Sequence, residues 1–481
     1  MARPSKALTR GHLLSQRIRD KLRVCELPSH LREEPPRHQG PRQKVLLWQI
    51  IAALVVQCLH RSGSLEQIVW RYFAVRISSS ALSQRRVKIS CEVFETCMRH
   101  ALTPLACARR HPQSFFAGLR LVGIDAGQWN LINTAEINAT VPKSISRRGK
   151  AAFAKLSMST LVELGTHAPL ACATSLGHLS EKALSDPLLA VLPQRSLLIA
   201  DRYYGQAPML RQLQESTRGK ESHFIVRVRE KLSVRVEKAN TDGSAEVSVT
   251  LRERVEAVEE QQITPGKQEL PMRGRGRPRK HAPMQQSELR VREINGTLRI
   301  GQGQRLKIRL WTSLSVRDAQ ARDVLQLYAK RWEQEIFYKE LKLGLHGSDL
   351  LNGQRSESAM QQVAALMIAS SLMAEERLAI AACSQQEGVE QAAVTRISFS
   401  QCLEHTVALL IVLQAAQGLM SEPAQGELVK RVRSTIAQAA LPPRRRRNCQ
   451  RKVRQPVKKW PRMLSPTSFQ SNHELVILPF A

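Results

Sequence analysis

The rhythm of apolar and polar positions changes along this chain. From about residue 45 to 105 apolar side chains recur at helical spacing. The segments are VLLWQIIAALVVQCLH (45–60), a break at RSGS, then LEQIVWRYF, and, behind a serine-rich cap, SSSALSQRRVKISCEVFETCMRHAL. Short apolar runs then take over. LRLVGIDAG, KLSMSTLVELG and PLACATSLGH read as strands, SEKALSDPLLAVL as a capped helix, SLLIADRYYG as a strand, QAPMLRQLQES as a helix and HFIVRVRE as a strand. That order predicts an α/β sheet. A charged, glycine-rich interval of strand-like alternation ends in LRIGQGQRLKIRLWTSL. A long helix is expected next, from about 316 to 343, with further apolar helices near 359–383 and 401–417.

Both ends of the chain are polar. Residues 1–42, ending in REEPPRHQGPRQ, read as a basic arm and linker; PPRRRRNCQRKVRQPVKKWPR carries no acid and marks 441–481 as a basic tail. Between them the pattern divides into a helical N-terminal domain (43–110), an α/β core in two parts (111–230 and 311–383), a strand-rich insertion (231–310) and a helical C-terminal region (384–440). Several domains are expected at 481 residues.

Charge narrows the function. Lys and Arg number 73 against 41 Asp and Glu, a formal net charge of +32, which implies a polyanionic partner such as the DNA backbone. A membrane is the weaker choice, since no basic amphipathic anchor or lipidation motif stands out. The run at 45–60 holds Gln49 and Gln57 and is shorter than the roughly 20 residues of a bilayer span, so a buried helix is expected. Nine scattered cysteines without a C-x-x-C pair point to a reducing, cytoplasmic setting. Gln84, Arg85, Arg86 and Lys88 follow a short helix and a turn, and could form the reading helix of a helix-turn-helix in the N-terminal domain.

Candidate chemistry lies in YAKRWEQEIFYKELK. On one α-helix, Tyr328, Arg331, Glu335 and Lys342 share a stripe about 60° wide, whereas Glu333 and Glu340 point elsewhere. The stripe is either a solvated face with an Arg331–Glu335 ion pair or part of a site. Asp125 and Asp201 each end an apolar run, where open α/β sheets place their functional crevice. One such aspartate commonly caps a loop. Three carboxylates converging on a point need a divalent cation, for which Mg²⁺, or Mn²⁺ with the same taste for oxygen, is the natural choice. Two such ions, about 3.5–4 Å apart, support in-line phosphoryl transfer, and Arg331 and Lys342 would then bind the flanking phosphates.

Tyr328-x2-Arg331-x3-Glu335-x6-Lys342 resembles the YREK signature of IS-four insertion-sequence transposases, a branch of the DDE superfamily. Asp201-Arg202 in LLIADRYYG resembles the motif around that family's second aspartate, and LVGIDAG the region of its first; the similarity runs from about 115 to 375. The resemblance implies an RNase-H-like core, interrupted by a strand-rich insertion before the glutamate helix. It implies a bacterial transposase that cuts the element's terminal repeats and joins them to target DNA, with catalysis and metal binding at Asp125, Asp201 and Glu335. Tyr328, Arg331, Lys342 and Arg202 would contact double-stranded DNA, in a homodimer. Some family members stabilise a flipped base with tryptophan, for which Trp311 and Trp332 are candidates. The chain departs from the family after the first aspartate, where Ala126, Gly127 and Gln128 replace the usual glycine and small hydroxyl residue. A non-catalytic architectural DNA-binding protein and a nuclease of the same fold are the alternatives.

Two features stand apart. RGRGRPRK (273–280) has the core of an AT-hook, with Arg275 and Arg277 suited to a narrow minor groove. His167 and His178 lie on expected strands without metal-ligand spacing and read as ordinary histidines. A nucleoid-associated protein is the resulting expectation.

Overall fold

The computed structural model describes residues 13–32, 45–61, 63–146, 149–177, 179–229, 232–254, 284–300, 304–386, 394–416, 418–441 and 475–477. The AT-hook stretch with Arg275 and Arg277, His178, and most of the basic tail lie outside the described residues. In chain order the principal helices are α1 (Leu13–Leu22), α2 (Leu47–His60), α3 (Leu65–Phe73), α4 (Ser79–Val87), α5 (Cys91–Ala101), α6 (Ala135–Thr140), α7 (Glu181–Ala190) and α8 (Ala207–Arg218). They continue with α9 (Ala321–Ala329), α10 (Trp332–Lys339), α11 (Ser356–Gln386), α12 (Phe399–Ala415) and α13 (Glu422–Gln438). The strands are β1 (Leu119–Leu131), β2 (Lys155–Glu163), β3 (Ala168–Ser175), β4 (Ser196–Ala200), β5 (His223–Arg227), β6 (Arg235–Ala239), β7 (Ala245–Arg254), β8 (Met284–Ile300), β9 (Gln304–Thr312) and β10 (Leu475–Ile477).

The chain divides into two units. The first comprises 1–199, 220–222 and 327–446; the second comprises 200–219, 223–326 and 447–481. In the first unit the strand order is β3–β2–β1–β4, with β1, β2 and β3 antiparallel in sequence. Around it lies a helical mass built on α11. This helix is apolar on all sides, with Val363, Leu366, Met367, Ile368 and Met373 buried, and it packs on α2, α5 and α13. An all-round apolar helix is stable only when enclosed in this way. The expected buried helix is α2, whose Ile50, Ile51, Leu54 and Val55 are sealed. No helix among the described residues is long and apolar enough to cross a membrane.

The second unit carries the antiparallel order β5–β9–β8–β7–β6, with α8 packed on β5 and β7. Its interior holds a polar knot. The buried Arg292 guanidinium donates to Ser244, to the Ala319 carbonyl and to Asp242, which also accepts the Ala321 N–H and so caps α9. The described elements give the mixed α/β class expected from the sequence, and the antiparallel strands β6 to β9 precede the helix that bears Glu335.

Four local expectations need correction. Residues 13–32, within the stretch read as an arm, form α1 and two short turns whose Ile18, Leu22, Leu27 and Leu31 join the core. Four apolar anchors spread over 14 residues gave too sparse a signal beneath the basic and proline-rich surroundings. The segment after the serine cap is two helices, because Ser90 accepts the Glu92 N–H and starts α5 anew. β1 runs 13 residues, so Asp125 sits in mid-strand and does not end it. Finally, the single helix expected over 316–343 is a loop followed by α9, a break at Lys330 and Arg331, α10, and a π-helical stretch Glu340–His346. Within the tail, Leu475–Ile477 pairs with β8.

Candidate active site

β1 presents Gly123, Asp125 and Gly127 at alternate positions, hence on one face of the sheet. α10 lies against that face. The Gln334 amide donates to the Thr160 hydroxyl at 2.9 Å, and the Tyr338 hydroxyl donates to the Asp125 backbone carbonyl at 2.7 Å while pairing with Thr160 Oγ1 at 2.9 Å. Thr160 is the cross-strand partner of Asp125 on β2. The two glycines make the approach possible. A Cβ on Gly123 would stand 2.5 Å from Gln334 Oε1, and one on Gly127 would stand 3.0 Å from the Tyr338 ring. Gly127, a departure from the family pattern, therefore has a local physical role: it admits Tyr338.

Glu335 is held between these two anchors in sequence. Its side chain is 27 % exposed, and its Oε1 accepts from Arg331 Nη2 at 2.8 Å. Burial alone would lower the Arg331 pKa, but the bond to Glu335 and the fields of Tyr328, Glu335 and Asp125 raise it. Two other members of the stripe and the first aspartate thus act on the Arg331 guanidinium. The fourth member does not keep the angle assigned to it, because the π-helix turns by less than 100° per residue. Lys342 instead reaches β1, donating to the Gln128 carbonyl at 2.6 Å and lying 5.4 Å from the centre of the Trp129 ring. Burial lowers its pKa, with Asp349 opposing that shift and Lys155 adding to it.

Asp201 follows β4 by one residue, and its Oδ1 accepts the Tyr203 N–H at 2.7 Å. It and Arg202 belong to the second unit, whereas Asp125, Tyr328, Arg331, Glu335 and Lys342 belong to the first. Among the described residues no group of three or more His, Cys, Asp and Glu side chains is placed to hold a metal. The donor chemistry of Asp125 and Glu335 nevertheless fits a hard divalent cation. Both are oxygen donors that keep partial exposure, and both already sit in the field of one positive group, Arg331.

The tryptophans separate. Trp311 is fully buried and donates its indole N–H to Glu293 at 2.7 Å, which also receives Arg309. It is core packing in the second unit. Trp332, the first residue of α10, is 49 % exposed and keeps the capacity to stack on a base. In the N-terminal domain, Arg86 turns inward to Gln361 and the Ser358 carbonyl. Gln84, Arg85 and Lys88 instead join His30 and Arg32 along a groove of about 500 Å³.

Sequence reasoning missed Gln334 and Tyr338, whose i, i+4 spacing was legible but whose partner strand was not. It also missed the fate of Glu333 and Glu340. Both bond to His167, which is sealed in the turn between β2 and β3.

Comparison with known proteins follows the same outline. A family model described as Transposase DDE domain matches residues 136–372, a span that contains Asp201, Tyr328, Arg331, Glu335 and Lys342 and begins 11 residues after Asp125. The chain is 23 % identical over 427 residues to the transposase InsG for insertion sequence element IS4 of Escherichia coli strain K12, covering 87 % of this chain and 88 % of that protein. Among solved structures it is similar to a piggyBac transposase synaptic complex with hairpin DNA, at 11 % identity and a TM-score of 0.38, covering 85 % of this chain and 80 % of that one. A likeness that loose carries no argument about function.

Proposed function

We propose that this chain is a DDE transposase of the IS4 insertion-sequence family and that Asp125, Asp201 and Glu335 are its catalytic carboxylates, acting on the terminal inverted repeats of its element. The observation that carries this reading is the fastening of α10 to β1. Tyr338 and Gln334 bond to the Asp125 carbonyl and to Thr160, so that Glu335 and Asp125 are held on two rigid elements. Sites built on strands and helices keep the sub-ångström precision that phosphoryl transfer needs. Asp201 follows β4, the neighbour of β1 in sheet order, by one residue.

In this reading the three carboxylates hold Mg²⁺ or Mn²⁺, whose chemistry when bound is to activate an attacking oxygen and steady the leaving one. Arg331 gives one N–H to Glu335 and, with a fixed fork of donors, can give others to a phosphate beside the scissile bond. Lys342 sits farther along β1 and presents its charge to the next stretch of backbone; Tyr328 and Arg202 add hydrogen bonds to the DNA strand. Half-exposed Trp332 is positioned on α10 for stacking on a displaced base. The groove of Arg32, Gln84, Arg85 and Lys88 supports a DNA-binding role for the N-terminal helices. Arg275 and Arg277 supply minor-groove contacts, and the active form is a homodimer that pairs two transposon ends near the bacterial nucleoid.

The test is cleavage of a plasmid carrying the gene's flanking DNA, with and without Mg²⁺, by the wild-type protein and by Glu335→Gln. Metal-dependent cuts at the element ends that vanish in the variant support the reading. Tight binding with no cleavage by the wild type would point instead to an architectural protein. Cuts that never proceed to joining would point to a nuclease.

A further inference from the structure

Two carboxylates of the YREK segment lie off its stripe, and both are spent on one imidazole. His167 Nε2 stands 2.8 Å from Glu333 Oε2 and Nδ1 stands 2.8 Å from Glu340 Oε2. The ring is 2 % exposed, so water cannot replace either bond. A neutral imidazole donates through one nitrogen only, and its other lone pair would then face a carboxylate oxygen at hydrogen-bonding distance. The cluster therefore holds an additional proton, most simply on the ring. Charge balance points the same way. Arg377, also 2 % exposed, contacts both Glu340 oxygens at 3.3 Å, and two carboxylates are matched by one guanidinium and one imidazolium.

The cluster ties four elements together. His167 ends the turn between β2 and β3, Glu333 lies in the first turn of α10, Glu340 opens the π-helical stretch, and Arg377 projects from α11, where it also donates to the Val394 and Ile397 carbonyls. Glu333 and Glu340 are seven residues apart, about two helical turns, and one ring spans them. Glu335 follows Glu333 by two residues, about 200° around the axis, so the cluster grips the face of α10 away from Glu335. His167 makes these contacts from a left-handed backbone, φ 59°, which residues other than glycine seldom adopt. Such outliers persist where the surroundings over-determine them.

We propose that His167, bonded through both ring nitrogens to Glu333 and Glu340, is a positioning residue that locks the rotation and pitch of α10 and thereby aims Glu335. The proposal rests on Glu335 being a catalytic carboxylate, but it has a signature independent of cleavage. Burial lowers the pKa of this ring, while the charges and hydrogen bonds of Glu340 and Glu333 outweigh that effect and raise it; Arg377 opposes them. The nearby Glu163 carboxylate is engaged by Arg120 and the Ala106 N–H.

The experiment uses the full chain labelled with ¹⁵N-histidine, with His167→Gln to assign the resonance. At pH 8, where a free histidine is neutral, the His167 ring is expected to show both nitrogens protonated. A neutral ring at pH 8 would overturn the charged clamp. Hydrogen exchange then compares wild type with His167→Gln and, should that variant fold poorly, with Glu340→Gln. Faster exchange confined to 332–346, with end cleavage down about tenfold and end-DNA binding changed less than about twofold, supports positioning. Exchange raised over the whole chain, or cleavage unaltered in an active enzyme, would overturn it. If the wild type cuts no DNA, the transposition reading fails alone, because ring protonation and local exchange still judge the clamp.

Discussion

Glu333, Glu335 and Glu340 stand within eight residues and meet three different fates. Glu333 and Glu340 are drawn against a sealed imidazole, and Glu340 also meets Arg377. Glu335 is more exposed than either, with Arg331 as its cation partner. The difference is one of commitment. A carboxylate enclosed by fixed cations is part of the scaffold, and removing one partner leaves a buried charge without compensation. A partly exposed carboxylate paired with an arginine four residues before it can exchange that partner for another cation or yield it to a phosphate.

The contrast can be broken by substitution. Glu335→Gln should lower end cleavage about 10²–10³-fold in a plasmid assay while leaving the urea midpoint nearly unmoved, since a partly exposed carboxylate with a neighbouring arginine contributes little to folding. Glu340→Ala should do the reverse: about 3 kcal/mol lost in urea unfolding, because Arg377 and His167 remain buried without their carboxylate. A stable Glu340→Ala protein would put both acids in one class.

Smaller changes sharpen the comparison. Tyr338→Phe removes the bond to the Asp125 carbonyl and should cost about 1 kcal/mol, with a larger proportional loss in cleavage than in end binding. Gly127→Ala should cost about as much, since its Cβ must displace the Tyr338 ring by a few tenths of an ångström. The least effect is expected from pH. His167 has a raised pKa in the folded state, so its contribution is fully present below the unfolded value near 6.5 and is lost as pH rises through the folded value. Urea midpoints measured from pH 6 to pH 9 should therefore fall more for wild type than for His167→Gln.

Much of this was legible along the chain. Apolar runs of five to nine residues foretold β2, β3 and β4, and the serine caps marked α4 and α7, because strand burial and capping are local. The pair Arg331–Glu335 was legible too, since four residues on an α-helix are neighbours whatever the fold. Lys342 was misplaced by the same reasoning, which assumed a constant angle per residue through a segment that changes helix type.

The amino-acid sequence by itself determined the charge that calls for a polyanion, the α/β order of elements and the carboxylate, arginine and lysine spacing of the family. Tertiary structure alone decided which acids are scaffold and which is exposed. His167 finds its partners 166 and 173 residues away, and Tyr338 finds the Asp125 carbonyl 213 residues away. Trp311 and Trp332 were equal candidates as letters, but burial against Glu293 removed one and exposure on α10 kept the other. Periodicity reports the angle at which a side chain leaves its own element. What stands opposite depends on how distant segments pack, and that packing sets dielectric, partner and exposure.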